Sequence, residues 1–565
     1  MTEPIADEHT TSAAPGQGPS AVAPLDGLRE AVLAVAAELV PGATPRGTIA
    51  LERAKRPEFG DYSTNAALLL APAAALPPRD LAERLGAALA ERLGVEQLAR
   101  YEVAGPGFLN LFLADGWMAG ALARVLAAGR GYGAGGVERP ERVLVEFVSA
   151  NPTGPMHVGH ARNASYGDSL ARILNFHGHR VEREFYVNDA GSQIVKFGET
   201  IGALARGEPV PEGGYKGDYV PELVARIDGA ATMEPLAIGK AAVELMLDAI
   251  KAMLERFGVL PFDNWYYESA LHEGEPSPVA RVLALLADKG ESYESDGALW
   301  LRTTDYGDDK DRVLIRSNGE HTYFASDIAY HQDKRERGFE RQLDVWGADH
   351  HGYVARMKAA YAALGGDPDE LDLLIMQLVH LVSSGERAQM SKRAGEFVTL
   401  EELIEEVGVD AARWYLLARS HDTTVDLDLD LARERSSENP VYYVQYAHAR
   451  IASLLAKAGE QRVEGALEQV GAAGHELHAS ERALINELLA FPGEVADSAM
   501  RHAPHRISAY ALALAQSFTA FYRDCHVVGA EPVEVESFRI ALSVASMRTI
   551  ASCLQLLGIS APERM

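Results

Sequence analysis

The chain has 565 residues, 47% of them hydrophobic and 24% charged, which is the profile of a soluble protein long enough for three or four domains. It has no apolar run of about 20 residues to span a membrane and no basic-then-apolar leader for secretion, so a cytoplasmic location is expected. A net charge of −28 argues against a generic nucleic-acid coat, and two cysteines remote from any C-x-x-C pattern argue against a disulfide framework or a zinc site.

Residues 1–24 are rich in Ala, Pro, Gly, Ser and Thr and predict a disordered tail. A helical apolar pattern covers Leu25 to Leu39, a polar turn Arg56 to Asn65, and a second helix Pro78 to Leu93. Tyr101 to Phe112 reads as two strands around Gly105-Pro106-Gly107. A Gly-rich joint, Gly129 to Gly136, ends this small α+β domain. Arg142 to Val148 is β-branched and predicts a strand. Two prolines and Gly154 break it between Ala150 and Pro155. A helix is expected over Ala161 to His177, then a strand over Val181 to Val187. This is a βαβ unit, in which ligands sit outside the carboxyl ends of the strands. Asn151, Thr153, His157 and His160 fall there.

The loop chemistry follows from its residues. A helix start offers N–H groups and partial positive charge to an anion. Gly159 lets a flat ligand approach the backbone, and His157 and His160, three apart, can both donate to phosphate oxygens. A capping His pair or a metal site is the competing reading. Asn188 and Asp189 end the next strand in a polar turn, which serves a ligand or merely reverses the chain. Residues 205 to about 260 look like an insertion. Glu268, among aromatics, is a buried carboxylate awaiting a cation or else part of a solvated turn. Short strands near Leu299 to Leu301 and Val313 to Arg316 suggest a small antiparallel element. Tyr323 and Asp327 lie four apart on one helix face, where a phenol and a carboxylate suit a guanidinium; a surface pair is the plainer alternative. Gly347, Asp349, His350 and His351 follow another strand, and a metal site from Asp349, His350 and His351 is one reading, though adjacent residues seldom ligate one ion without partners. Gln389-Met390-Ser391-Lys392 is a glycine-flanked loop. From Thr399 onward the pattern is nearly all helical, with aromatics that serve a bundle core or stack bases.

The run Ser149-Ala-Asn-Pro-Thr-Gly-Pro-Met-His-Val-Gly-His-Ala-Arg162 resembles the HIGH-motif region of class I aminoacyl-tRNA synthetases, specifically the arginyl family. Phe59-Gly-Asp-Tyr-Ser-Thr-Asn65 resembles that family's N-terminal domain, Gln389-Met-Ser-Lys392 its KMSKS loop, and the closing helices its anticodon-binding domain. Gln389 replaces the loop's first lysine. The resemblance implies a multidomain fold: a small α+β tRNA-contacting domain (25–128), an α/β Rossmann-like class I catalytic domain (137–398, insertion about 205–310) and an all-α anticodon-binding bundle (399–565). It implies ATP-dependent activation of L-arginine and transfer to tRNA, with Mg2+ arriving on ATP and no zinc. It assigns Thr153, Gly154, His157, Gly159, His160, Gly347, Asp349, Met390, Ser391 and Lys392 to ATP and catalysis. Glu146 and Asn151 are assigned to the amino acid's α-end, and Glu268, Tyr323 and Asp327 to its guanidinium. A monomer is expected, and a catalytically silent RNA-binding relative is the alternative.

Overall fold

The computed structural model describes residues 23–54, 56–387, 398–471 and 474–565. The predicted tail up to residue 22 and the loop holding Gln389, Met390, Ser391 and Lys392 lie outside the described residues. At the N-terminal side, helices Pro24–Leu39, Ala66–Ala74 and Pro78–Leu93 accompany a four-stranded antiparallel sheet, in the order Leu51–Arg53, Tyr62–Thr64, Phe108–Leu113, Leu98–Ala104. The hairpin turns at Gly105-Pro106-Gly107 as its sequence predicts. Tyr62–Thr64 falls where only a turn was expected, because three residues are too few to show alternation.

The central domain is built on five parallel strands: β1 (Arg142–Glu146), β2 (Arg180–Val187), β3 (Asn264–Tyr267), β4 (Arg341–Gly347) and β5 (Leu371–Met376). Their spatial order is β5-β4-β1-β2-β3. The order reverses between β1 and β4, so the crevice outside their carboxyl ends is the ligand position of this topology. β3 corrects the sequence reading, which put it inside the insertion; four half-buried residues carry no readable period. Helix α1 (Val158–His177) joins β1 to β2, and α2 (Tyr323–Glu336) leads into β4. β1 ends at Glu146, two residues before the predicted limit, because Val148 and Ser149 turn to φ of +69° and +39°.

Helix Ser192–Ala205, just before the insertion, and Pro235–Arg256, within it, cross with their backbones nearly touching. A Cβ on Gly198 would lie 1.7 Å from the Pro235 carbonyl oxygen, so only glycine permits this approach. Beyond it, Ser292–Ser295, Ala298–Leu301 and Arg312–Ile315 form the small antiparallel sheet, one strand larger than expected. The C-terminal region is helical except for Val425–Asp428, which pairs in parallel with Val379–Ser383. This strand corrects the all-helical expectation, and its burial alternates as a half-buried strand's does. Phe491, Phe518 and Phe521 are bundle core, whereas Tyr446 and Tyr522 stay at the surface beside Arg450.

A buried ionic hub ties α1 to this bundle. Arg413, fully buried, reaches Asp168 of α1 at 2.6 Å, the Leu557 carbonyl at 2.9 Å and the Phe257 carbonyl at 3.2 Å. Replacing Arg413 with Met strands part of the Asp168 charge in the interior. Unfolding in urea should then require about 3–5 kcal/mol less free energy.

Candidate active site

The motif loop is held by its own histidines. His157 is the N-cap of α1: its Nδ1 accepts from the N–H groups of Gly159 at 3.0 Å and His160 at 3.4 Å. His160 Nδ1 accepts in return from the His157 N–H at 3.3 Å. This is a capping box made of two imidazoles, and the rings stack 3.7 Å apart. With each Nδ1 an acceptor, a neutral ring carries its proton on Nε2. Burial lowers the pKa of His157, and burial with the neighbouring His157 ring drives that of His160 down to about 3. The capping reading and the donor reading are therefore compatible: one nitrogen of each ring caps the helix and the other is a donor.

Around this helix start opens a cleft of about 730 Å³. Asn151, His157, Gly159, His160, Gly347 and Asp349 all line it, together with Gln377 to Leu381 and Arg387. It sits at the reversal between β1 and β4. Asp349 is exposed, with His350 Nδ1 3.2 Å from its Oδ1. Among the described residues no three His, Cys, Asp or Glu side chains are grouped to hold a metal ion. Thr153 and Gly154, expected at ATP, stand outside this cleft. The Thr153 carbonyl accepts from Tyr219 Oη at 2.7 Å, and Gly154 faces the same ring.

A second group of predicted residues meets beside the carboxyl end of β2. Glu268 is buried, with Asn188 and Tyr186 at its carboxylate. Burial, then the carboxylates of Asp327 and Asp189, raise its pKa to about 7. Asp327, on the first turns of α2, is half-buried and accepts from Tyr353 Oη. Burial raises its pKa against the lowering effect of that hydrogen bond. Tyr323 stands one turn earlier, exposed at the rim. Two mutually repelling carboxylates, one buried and one half-buried, thus meet here with no Lys or Arg ion-paired to either among the described residues.

Three family models match this chain. "Arginyl tRNA synthetase N terminal domain" covers residues 26–113, "tRNA synthetases class I (R), catalytic domain" 121–209 and 268–452, and "DALR anticodon binding domain" 444–565. The chain belongs to the arginyl-tRNA synthetase family. It is 45% identical over 551 residues to the arginine–tRNA ligase of Geobacillus thermodenitrificans, covering 94% of this chain and 96% of that protein. Identity to the Bacillus subtilis arginine–tRNA ligase is 43% over 531 residues, with 92% and 94% covered. The Thermus thermophilus arginyl-tRNA synthetase structure superposes with a TM-score of 0.73 at 26% identity, over 96% of this chain and all of that one. The Plasmodium falciparum arginyl-tRNA synthetase, at 16% identity, shares the fold with a TM-score of 0.74, over 96% and 99%.

Besides Thr153 and Gly154, a third predicted residue sits differently from its expectation. Glu146, expected at the amino acid's α-end, has both oxygens engaged. Oε1 accepts from Ser149 Oγ at 2.8 Å, and Oε2 lies 2.7 Å from Lys334 Nζ. Lys334 and Tyr353 were missed. Lys334 and Tyr353 lie outside the motifs, and each looks like an ordinary helix or turn residue until a carboxylate is seen opposite.

The motif helix is also joined to the far side of the undescribed loop. Val158 N–H donates to the Val398 carbonyl at 3.1 Å, and Leu400 N–H to the Met156 carbonyl at 2.8 Å. The described chain therefore resumes, at Val398, directly against the histidine loop.

Proposed function

We propose that the protein activates L-arginine with ATP to form arginyl-adenylate and pyrophosphate, then transfers the arginyl group to the terminal adenosine of its tRNA. The observation that carries this reading is the Glu268–Asp327 pair beside the nucleotide cleft. A guanidinium offers five donors and a fixed charge, which suits two carboxylates that repel each other without it. Uncharged rivals leave both unpaired, so discrimination needs no separate editing domain.

In this reading ATP occupies the cleft at the β1–β4 reversal. His157 and His160 donate to its phosphates, Gly159 leaves room for the adenine, and Gly347 and Asp349 hold the ribose. Lys392, with Met390 and Ser391, acts on the phosphates. Asn151 takes the amino acid's α-end, with Glu146 acting from behind it. Catalysis is then positioning plus charge stabilisation of a phosphate-centred transition state. Magnesium travels on the nucleotide. Residues 25–128 and 399–565 take the tRNA, residues 137–398 perform the chemistry, and the enzyme works as a cytoplasmic monomer. The deciding test is charging of total tRNA with each of twenty labelled amino acids. Arginine alone should become acid-precipitable; charging with another amino acid, or with none, overturns the reading.

The receptor also sets a pH dependence. A guanidinium binds the ionised form of Glu268, whose pKa in the free protein is about 7. As pH falls through 7 the carboxyl takes up a proton, and arginine affinity should fall by roughly tenfold per unit. Titration calorimetry at pH 6.5, in buffers of different ionisation heat, should show roughly three-quarters of a proton released per arginine bound. Constant affinity between pH 6 and 8 removes Glu268 from the receptor.

A further inference from the structure

Central strands of a buried parallel sheet are normally apolar. Here β4, β1 and β2 each place a carboxylate at the same register: Asp344 opposite Glu146, and Glu146 opposite Glu184. Helix α2 answers the row with one face. Lys334 Nζ lies 2.7 Å from both Glu146 Oε2 and Asp344 Oδ1. The segment just past α2 adds Arg337, which forks onto Glu184 at 2.6 and 2.8 Å, and Tyr330 donates to Glu184 at 2.7 Å. His331 Nε2 lies 2.7 Å from Asp344 Oδ2, while its Nδ1 lies 2.7 Å from the main-chain carbonyl oxygen of Asp327. Both ring nitrogens face oxygen atoms. The three carboxylates thus meet Lys334, Arg337 and His331, and Arg337 also reaches Asp333 at 2.8 Å.

A buried network of this kind adds little net stability over apolar side chains of the same volume. What distinguishes this one is where it ends. At one end Glu146 accepts from Ser149 Oγ, which in turn accepts from the Tyr186 N–H at 3.1 Å. Ser149 closes a tight turn, its N–H reaching back to the Phe147 carbonyl at 3.0 Å around Val148 at φ +69°. A β-branched residue in that region is strained, and persists only where its surroundings over-determine it. Asn151 follows two residues later. At the other end, His331 grips the peptide carbonyl of Asp327.

We propose that Lys334 and His331 are positioning residues for the amino acid, fixing the Asn151 turn and the Asp327 carboxylate relative to each other without touching substrate. This rests on the reading of Asp327 as the arginine receptor. The two histidines that face ATP lie outside the row, so the row acts mainly on arginine, although Ser149 and Asn151 also line the cleft. The test is ATP–pyrophosphate exchange by full-length Ser149→Ala, His331→Asn and Lys334→Met, with KM measured separately for arginine and ATP, beside thermal midpoints. KM for arginine should rise about tenfold or more, with KM for ATP within about twofold for His331→Asn and Lys334→Met, whose residues are not among the cleft's walls. Unchanged KM values for both substrates, or a parallel rise in both that tracks lost stability, overturn the proposal. Ser149→Ala and His331→Asn decide it whether or not Lys334→Met folds. Arginine calorimetry on Asp327→Ala separates the two layers. Retained binding there overturns the receptor reading itself, while lost binding there with normal Ser149→Ala and His331→Asn overturns only the positioning role.

Discussion

Asp327→Ala should weaken arginine binding by about 10²- to 10³-fold and leave ATP binding within about twofold. The carboxylate is half-buried and oriented by Tyr353 Oη, so a guanidinium meets it in a fixed geometry with little water between them. Removing one member of such a desolvated charge pair costs about 2–5 kcal/mol, and each 1.4 kcal/mol is tenfold in affinity. Glu268 remains and still attracts the cation, which bounds the loss. ATP is insulated because its cleft is lined by the turn after β1, α1, the ends of β4 and β5, Gln377 to Leu381 and Arg387, with Asp327 not among its walls. Asp327→Asn separates charge from shape. It keeps an oxygen for Tyr353 but no charge, and should lose nearly as much arginine affinity as the alanine variant. Titration calorimetry with each substrate alone gives both numbers. Equal arginine affinity in variant and parent takes Asp327 out of the receptor.

The parts of this architecture that were legible in the sequence share a property: their signal is local. The βαβ unit around His157 announces itself through β-branched residues, paired prolines and a helical period, and the structure places its elements within three residues of those limits. The hairpin at Gly105-Pro106-Gly107 is similar. Tyr62–Thr64, Asn264–Tyr267 and Val425–Asp428 were not legible, since each is three or four residues long and exists only because a distant strand pairs with it. The same division runs through the site. The i, i+4 spacing of Tyr323 and Asp327 could be read from the chain, and so could the histidine pair. That Lys334 would answer Glu146 and Asp344, from 188 and 10 residues away, depends on strand register, which no window contains. A signal was nonetheless present. Glu146, Glu184 and Asp344 each interrupt a segment whose neighbours demand burial, and a charge in such a place requires a partner. Glu146 was instead matched to substrate, because its sequence neighbours were motif residues.

His160→Ala should slow adenylate formation by about 10²-fold or more while arginine affinity stays intact. The ring is neutral well above its pKa of about 3, and its Nδ1 is committed to the His157 N–H. What remains to act on a phosphate is the Nε2–H dipole rather than a full positive charge. A preorganised donor aimed at developing charge is worth about 10²–10³ in rate, and a neutral one works without a protonation step. Between pH 6 and 8 the chemical step should therefore show no histidine titration from this pair. His160→Asn, which keeps an N–H donor on a shorter arm, should recover part of the loss. The alanine variant also gives up one capping bond of α1, at about 0.5–2 kcal/mol. A lowered thermal midpoint is then expected beside the slower chemistry, but not a change in arginine binding, because the receptor lies on α2 and after β3. Single-turnover adenylate formation, followed in the absence of tRNA where the enzyme permits it and with tRNA where it does not, measures the chemical step directly. A rate equal to the parent's means the pair only caps its helix. A rate that falls at every pH, with arginine affinity held, assigns the imidazole to the phosphates.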